Sequence, residues 1–146
     1  MRILDMSAGN RAIWYKKDHP LACFIDIRPS VKPTFVMDST KLKLAEGHFD
    51  LVVFDPPHLN TGKNSNMAKC YGHHTTKQIL ELVEGSGKEA HRVTKRTALM
   101  ALKWNTHDIR LERVFKLLPN WEPLFGHLTK DGPRSQTYWV MLRRLP

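Results

Sequence analysis

The feature that most constrains this chain is Phe49-Asp50-Leu51-Val52-Val53-Phe54, a strand-length apolar run cut off by Asp55-Pro56-Pro57-His58. A run of this length without strict alternation reads as a strand buried on both faces. Two consecutive prolines end it, because each restricts the backbone and lacks the N–H that a ladder needs. Four more runs read the same way: Arg2–Met6, Ala22–Ile27, Thr34–Met37 and Ala98–Leu102. All five suit a parallel sheet covered by helices.

Helices are expected between them at Arg11–Lys17, at Thr76 to about Lys95 with a break at Gly85-Ser86-Gly87, and at Asp108–Leu118. In the last, Leu111, Val114, Phe115 and Leu118 fall on one face and Pro119 marks the stop. The tail then changes character: Trp121–Thr129 and Gln136–Leu145 are strand-like, and the turn-rich Lys130-Asp131-Gly132-Pro133-Arg134 joins them as a hairpin. The alternation predicts a single-domain α/β fold, an open and mostly parallel sheet with a C-terminal antiparallel hairpin. Ligands of such sheets bind at the carboxyl ends of the strands, where strand order reverses.

Length and charge narrow the function. The 146 residues suit one compact domain, 1–146, with no separate target-recognition domain and no internal repeat. With 23 Lys and Arg against 14 Asp and Glu, the formal charge of +9 favours a polyanionic partner, nucleic acid ahead of an anionic membrane surface. A basic excess also serves solubility alone. Two cysteines, Cys23 and Cys70, exclude a disulfide framework and a paired zinc signature, and no metal site is expected from Cys70, His73 and His74. No stretch approaches the ~20 apolar residues of a membrane span, and the first residues show no charged-then-apolar leader, so a soluble, cytoplasmic protein is expected.

The chemistry-bearing residues cluster just after the apolar runs. Asp5-Met6-Ser7-Ala8-Gly9-Asn10 leads from an acid through small residues to a glycine, where backbone can approach a ligand closely. It lacks the Gly-x-Gly-x-x-Gly dinucleotide fingerprint. Asp26 and Asp38 follow the second and third runs, and a carboxylate so placed can accept hydrogen bonds from both hydroxyls of a ribose. Each acid alone serves equally well as a turn residue. Jointly they suggest a nucleoside-containing cofactor without a phosphate loop, of which S-adenosylmethionine is one.

Asp55-Pro56-Pro57-His58 reads as a rigid cluster of acceptors without competing donors. The Asp55 carboxylate and the Pro56 carbonyl could accept both hydrogens of an exocyclic amino group, favouring a pyramidal nitrogen, while His58 stacks on the base. In the polar loop from Leu59 to Thr75, Lys63, Asn64, Lys69 and Tyr71 are candidates for gripping phosphates and stacking on a base, or the loop is a solvated connector. Gly62-Lys63-Asn64-Ser65 lacks the spacing of an NTPase loop. Lys103 and Trp104 are further candidates for substrate contact, unless Trp104 packs against the sheet edge.

Asp55-Pro56-Pro57-His58 resembles the Asp/Asn/Ser-Pro-Pro-aromatic motif of amino methyltransferases acting on adenine N6 or cytosine N4, with His58 where those enzymes usually carry Tyr, Phe or Trp. A narrower resemblance, to small phage- and prophage-type DNA adenine methyltransferases, runs through Asp55-Pro56-Pro57-His58-Leu59, Gly62-Lys63-Asn64-Ser65, Lys69-Cys70-Tyr71-Gly72, Lys103-Trp104-Asn105 and Leu124-Phe125-Gly126-His127. The resemblance implies a Rossmann-like class I methyltransferase fold with seven strands, and S-adenosylmethionine as cofactor. It would set Asp5 and Gly9 by the methionine part, Asp26 on the ribose and Asp38 at the adenine. It also implies methylation of a DNA base, adenine N6 first, on a target flipped out or already single-stranded. Low sequence specificity, or specificity supplied by a homodimer, is expected. RNA adenine N6 or cytosine N4 methylation, and a catalytically silent nucleic-acid-binding relative, are the alternatives.

Overall fold

The apolar runs form the centre of one seven-stranded sheet in the computed structural model, which describes residues 1–60 and 73–146. The strands are β1 (Ile3–Asp5), β2 (Ala22–Asp26), β3 (Phe35–Val36), β4 (Phe49–Phe54), β5 (Thr94–Asn105), β6 (Trp121–Asp131) and β7 (Gln136–Arg144). Their order is β3-β2-β1-β4-β5-β7-β6. The first five run parallel, while β7 is antiparallel to both β5 and β6. From β1 the chain moves outward to β2 and β3, then returns to the other side of β1 as β4. The order therefore reverses between β1 and β4, which opens a crevice at their carboxyl ends.

Register decides which side chains share a face. Leu4 lies beside Cys23 and Val52, Val52 beside Met100, and Met100 beside Leu142. This face carries the main core, in which Leu4, Ile25, Val52, Phe54, Met100, Leu102, Trp104 and Leu142 are completely buried. Two helices cover it: α1 (Thr76–Val93) contributes Ile79, Val83, Ala90 and Val93, and the short α2 (Leu111–Lys116) contributes Val114. The start of α1 is fixed by a capping box, in which Thr75 Oγ1 accepts the Gln78 N–H and Gln78 Oε1 accepts the Thr75 N–H. Among the described residues no helix is long and apolar enough to cross a membrane.

Four expectations change. First, Arg11–Lys17 is a series of turns, because Gly9 and Arg11 both adopt left-handed backbone, with φ of 49° and 56°. Arg11 is held there by donating to the Lys17 and Lys32 carbonyls and by lying 4.2 Å over the Phe24 ring. Second, α1 runs unbroken through Gly85-Ser86-Gly87. These small residues permit close packing: a Cβ on Gly87 would stand 2.3 Å from Leu118 Cδ2, and Ser86 Oγ is 2.7 Å from Ser39 Oγ. Third, β5 begins at Thr94, its exposed Lys95, Arg96 and Thr97 having masked the strand, and α2 is only the middle of the expected Asp108–Leu118 helix. Fourth, burial on both faces fails at β3, where Phe35 and Val36 are exposed, and at Leu99 of β5. Both described helices lie on one side of the sheet, so the other side is covered unevenly.

Candidate functional site

On that second side, the carboxyl ends of β2, β1 and β4 bring Asp26, Asp5 and Asp55 together, close enough that the charges of Asp55 and Asp26 both act on Asp5. The turn after β1 is laced to its neighbours: the Met6 N–H donates to Val53 O and the Ala8 N–H to Ile25 O, both at 3.0 Å. Met6 and Ala8 are buried, and the Met6 side chain belongs to the main core, so their side chains anchor the turn. Ser7 faces the end of β4, its Oγ accepting the Asp55 N–H at 2.8 Å. Asn10 is exposed.

Asp5 is 1 % exposed and accepts the Ser7 N–H at 3.1 Å and the Trp14 indole N–H at 2.7 Å. Burial pushes its carboxyl up to about 6, the neighbouring Asp55 and Asp26 adding to the rise and the two hydrogen bonds opposing it. Asp26 is shaped differently. Its Oδ1 accepts the Arg28 backbone N–H (2.9 Å) and Nε (3.0 Å), and its Oδ2 accepts the Gly9 N–H (2.9 Å) and Arg28 Nη2 (3.0 Å). Burial alone would raise its pKa, but these donors and the Arg28 charge hold it below the usual carboxylate range. Ile27, the next residue in the chain, exposes an apolar side chain.

Asp38 is an exposed turn residue whose Oδ1 accepts the Thr40 N–H at 2.8 Å and the Thr40 hydroxyl at 2.7 Å. Its contacts are those of a turn cap, the alternative that its position after a strand left open.

At the end of β4 the prolines hold Asp55 and His58 at the crevice, but the acceptors do have competing donors. Lys103 Nζ lies 2.9 Å from Asp55 Oδ2. His58 Nδ1 donates to the Pro56 carbonyl at 3.0 Å, which fixes the Nδ1–H tautomer, and it stands 4.0 Å from Asp55 Oδ1. The expectation of bare acceptors is thus corrected: the chain supplies one donor to each, leaving Asp55 Oδ1 and the second lone pair of the Pro56 carbonyl for a ligand. Pro56 is buried and Pro57 half-buried. Burial lowers the His58 pKa and Lys103 adds to the fall, against the opposing pull of Asp55 and the Pro56 carbonyl.

Trp104 is a correction too. It is completely buried on the helix-covered face, its indole N–H donating to Ile109 O at 2.9 Å, because even-numbered residues of β5 face the core. It reaches the site only as a wall for His58, the ring centroids 5.9 Å apart. Lys63, Asn64, Lys69 and Tyr71 lie outside the described residues. Sequence reasoning missed Trp14 and Arg28. Trp14 falls in the expected Arg11–Lys17 helix, and the signal for Arg28 is local, a cation two residues beyond a strand-end acid.

This sheet order with its antiparallel β7 is the class I methyltransferase fold, and solved structures agree. No protein-family model and no curated protein matches the chain. It is similar to a SAM-dependent methyltransferase from Methanosarcina mazei (TM-score 0.66, 12 % identity, covering 99 % of this chain and 92 % of the other). N-methyltransferase NodS from Bradyrhizobium japonicum, in complex with S-adenosyl-L-homocysteine, is similar at TM-score 0.63 and 13 % identity, covering 98 % and 77 %. The [4+2]-cyclase SpnF is similar at TM-score 0.70 and 10 % identity, covering 99 % and 74 %. The fold is common to all of these, and the cyclase among them requires that a reaction be argued from the site.

Proposed function

We propose that the chain is an S-adenosylmethionine-dependent methyltransferase that modifies an exocyclic amino group of a nucleic-acid base, adenine N6 of DNA being the first candidate. The observation that carries this reading is Asp55-Pro56-Pro57-His58 at the switch-point crevice, hydrogen-bonded through Ser7 to the turn that follows β1. The neighbouring residues fit a nucleoside. Asp26 offers a carboxylate for vicinal hydroxyls, Ile27 an apolar surface for a purine, and Gly9 a turn without a side chain. That NodS was crystallised with S-adenosyl-L-homocysteine supports the choice of cofactor.

When bound, S-adenosylmethionine supplies an electrophilic methyl on a positively charged sulfur. The residues of the chain act on the amino group. Asp55 Oδ1 and the Pro56 carbonyl each accept one N–H, which draws the nitrogen lone pair out of the ring's conjugation. Lys103, bound to Oδ2, orients the carboxylate so that Oδ1 faces the substrate. Burial lowers the His58 pKa and so favours the neutral ring, which leans on Trp104 with 60° between the ring planes and can serve as one wall of the base site. The nitrogen that gains a methyl must shed a proton, and Asp55 is the group positioned to take it and pass it to water. The excess of basic residues supports a polyanionic substrate.

The test is transfer from labelled cofactor to DNA, RNA and free nucleosides, followed by nucleoside mass analysis. Labelled N6-methyladenine in DNA is expected; label in RNA or at cytosine N4 moves the assignment to that substrate. Absence of label from every polymer by a protein that binds the cofactor overturns the nucleic-acid reading. Asp55→Ala should cut transfer at least about 100-fold while cofactor affinity stays within about threefold.

A further inference from the structure

Asp26 already has every hydrogen bond a carboxylate ordinarily accepts. Its two oxygens take four donors, two from the backbone (Gly9 and Arg28 N–H) and two from the Arg28 guanidinium. The backbone donors belong to the turns that shape the site and stay in place. The guanidinium sits on a side chain that is 32 % exposed, whereas Asp26 is 8 % exposed, so it covers the carboxylate from the solvent side. It also lies over the cofactor turn, since a Cβ added to Gly9 would meet Arg28 Nη2 at 3.5 Å. A vicinal diol would approach Asp26 from this direction, and it too offers two donors at adjacent positions.

We propose that Arg28 occupies the diol-binding side of Asp26 in the ligand-free protein, and that its guanidinium leaves when a ribose binds. Arg28 thereby sets cofactor affinity: binding exchanges two charge-assisted hydrogen bonds for two from hydroxyls, and affinity is lower by the difference. The inference rests on reading Asp26 as the ribose acid.

Titration calorimetry with S-adenosylhomocysteine tests both together. Asp26→Ala should weaken binding at least about tenfold, through loss of the hydroxyl acceptors. Arg28→Ala should tighten it about tenfold, and Arg28→Lys, whose ammonium cannot form the fork, about threefold. A second readout is made on the wild type. The Arg28 Nε–H resonance, assigned by its loss in Arg28→Lys, should be protected from solvent exchange in the free protein and lose that protection at saturation. If Asp26→Ala weakens binding while both Arg28 variants bind as the wild type or more weakly, or the Nε–H stays protected, Arg28 does not leave and the proposal is overturned. If Asp26→Ala binds as the wild type does, the ribose reading is wrong and the proposal falls with it.

Discussion

Phe54 and Phe125 stand on opposite faces of the same sheet, the first completely buried and the second 69 % exposed. Phe54 lies beside Leu102, and Leu102 beside Val140, on the face that α1 and α2 cover. Phe125 lies beside Met141 on the other face. That second face carries Asp5, Asp26 and Asp55, and it continues outward from Lys103 through Trp139 to His127 in one register row. One side of the sheet supplies stability and the other supplies polar groups at a crevice. The strand alternation that buries Met100, Leu102 and Trp104 is what turns Ala101, Lys103 and Asn105 the other way.

The largest effect expected from this division is on the covered face. Trp104→Ala should destabilise the protein by about 3–5 kcal/mol, the range for emptying a buried aromatic site, and should leave the Ile109 carbonyl without its donor. Urea denaturation followed by far-UV circular dichroism measures it. A loss under about 1 kcal/mol would mean that this face is no more essential than the other.

Most of the sheet was legible in the sequence because strand-length apolar runs and their terminal acids are local signals. The runs Phe49–Phe54 and Ala22–Ile27 could be placed without knowing their neighbours, the second strand ending one residue earlier, at Asp26. What was not legible depended on partners far along the chain. Arg11 is left-handed because carbonyls at Lys17 and Lys32 hold its guanidinium, and no periodicity encodes that. Gly85 and Gly87 look like helix breakers until Thr40 and Leu118 are seen packed against them. At the site, strand position picked out Asp5, Asp26, Asp55 and Asp38 by one rule; all but Asp55 accept the N–H two residues on, and what sets Asp38 apart from Asp5 and Asp26 is that it is exposed while they are buried. The donors on the acids, Trp14, Arg28 and Lys103, sit 9, 2 and 48 residues from their partners, so a single spacing rule could not have found them.

The second face is itself divided, and Asp5 measures the division. Although on that side, it is 1 % exposed, because Trp14 covers it and packs edge-on to Phe24 with ring centroids 5.1 Å apart. A carboxyl raised from 3.8 to about 6 binds its proton more tightly folded than unfolded. Its contribution is therefore fully present below about pH 4 and lost as the pH rises through about 6. Relative to Asp5→Asn, which cannot ionise, the wild type should lose about 2 kcal/mol of stability between pH 4 and pH 6.5. The difference between the two proteins is the quantity to follow, since Asp26 and Glu89, with lowered pKa values, stabilise in the opposite sense. Parallel stability curves across that window would show that Asp5 is solvated and that Trp14 does not close this half of the face.

The smallest effect is expected at the far end of the same face. Phe125 lies in edge strand β6, where all residues from Pro123 onward are exposed, and its neighbour Met141 is only half-buried. Truncating it removes little area that folding had taken from water. A strand residue must also be replaced without changing backbone preference, which spans about 1 kcal/mol between good and poor strand formers. Phe125→Thr replaces one good strand former by another and so isolates burial from propensity. Its stability in urea should lie within about 0.5 kcal/mol of the wild type at pH 7. A loss above about 2 kcal/mol would show that Phe125 is covered in solution, and the contrast with Phe54 would then mark two cores of unequal depth, with the open face no longer open at β6.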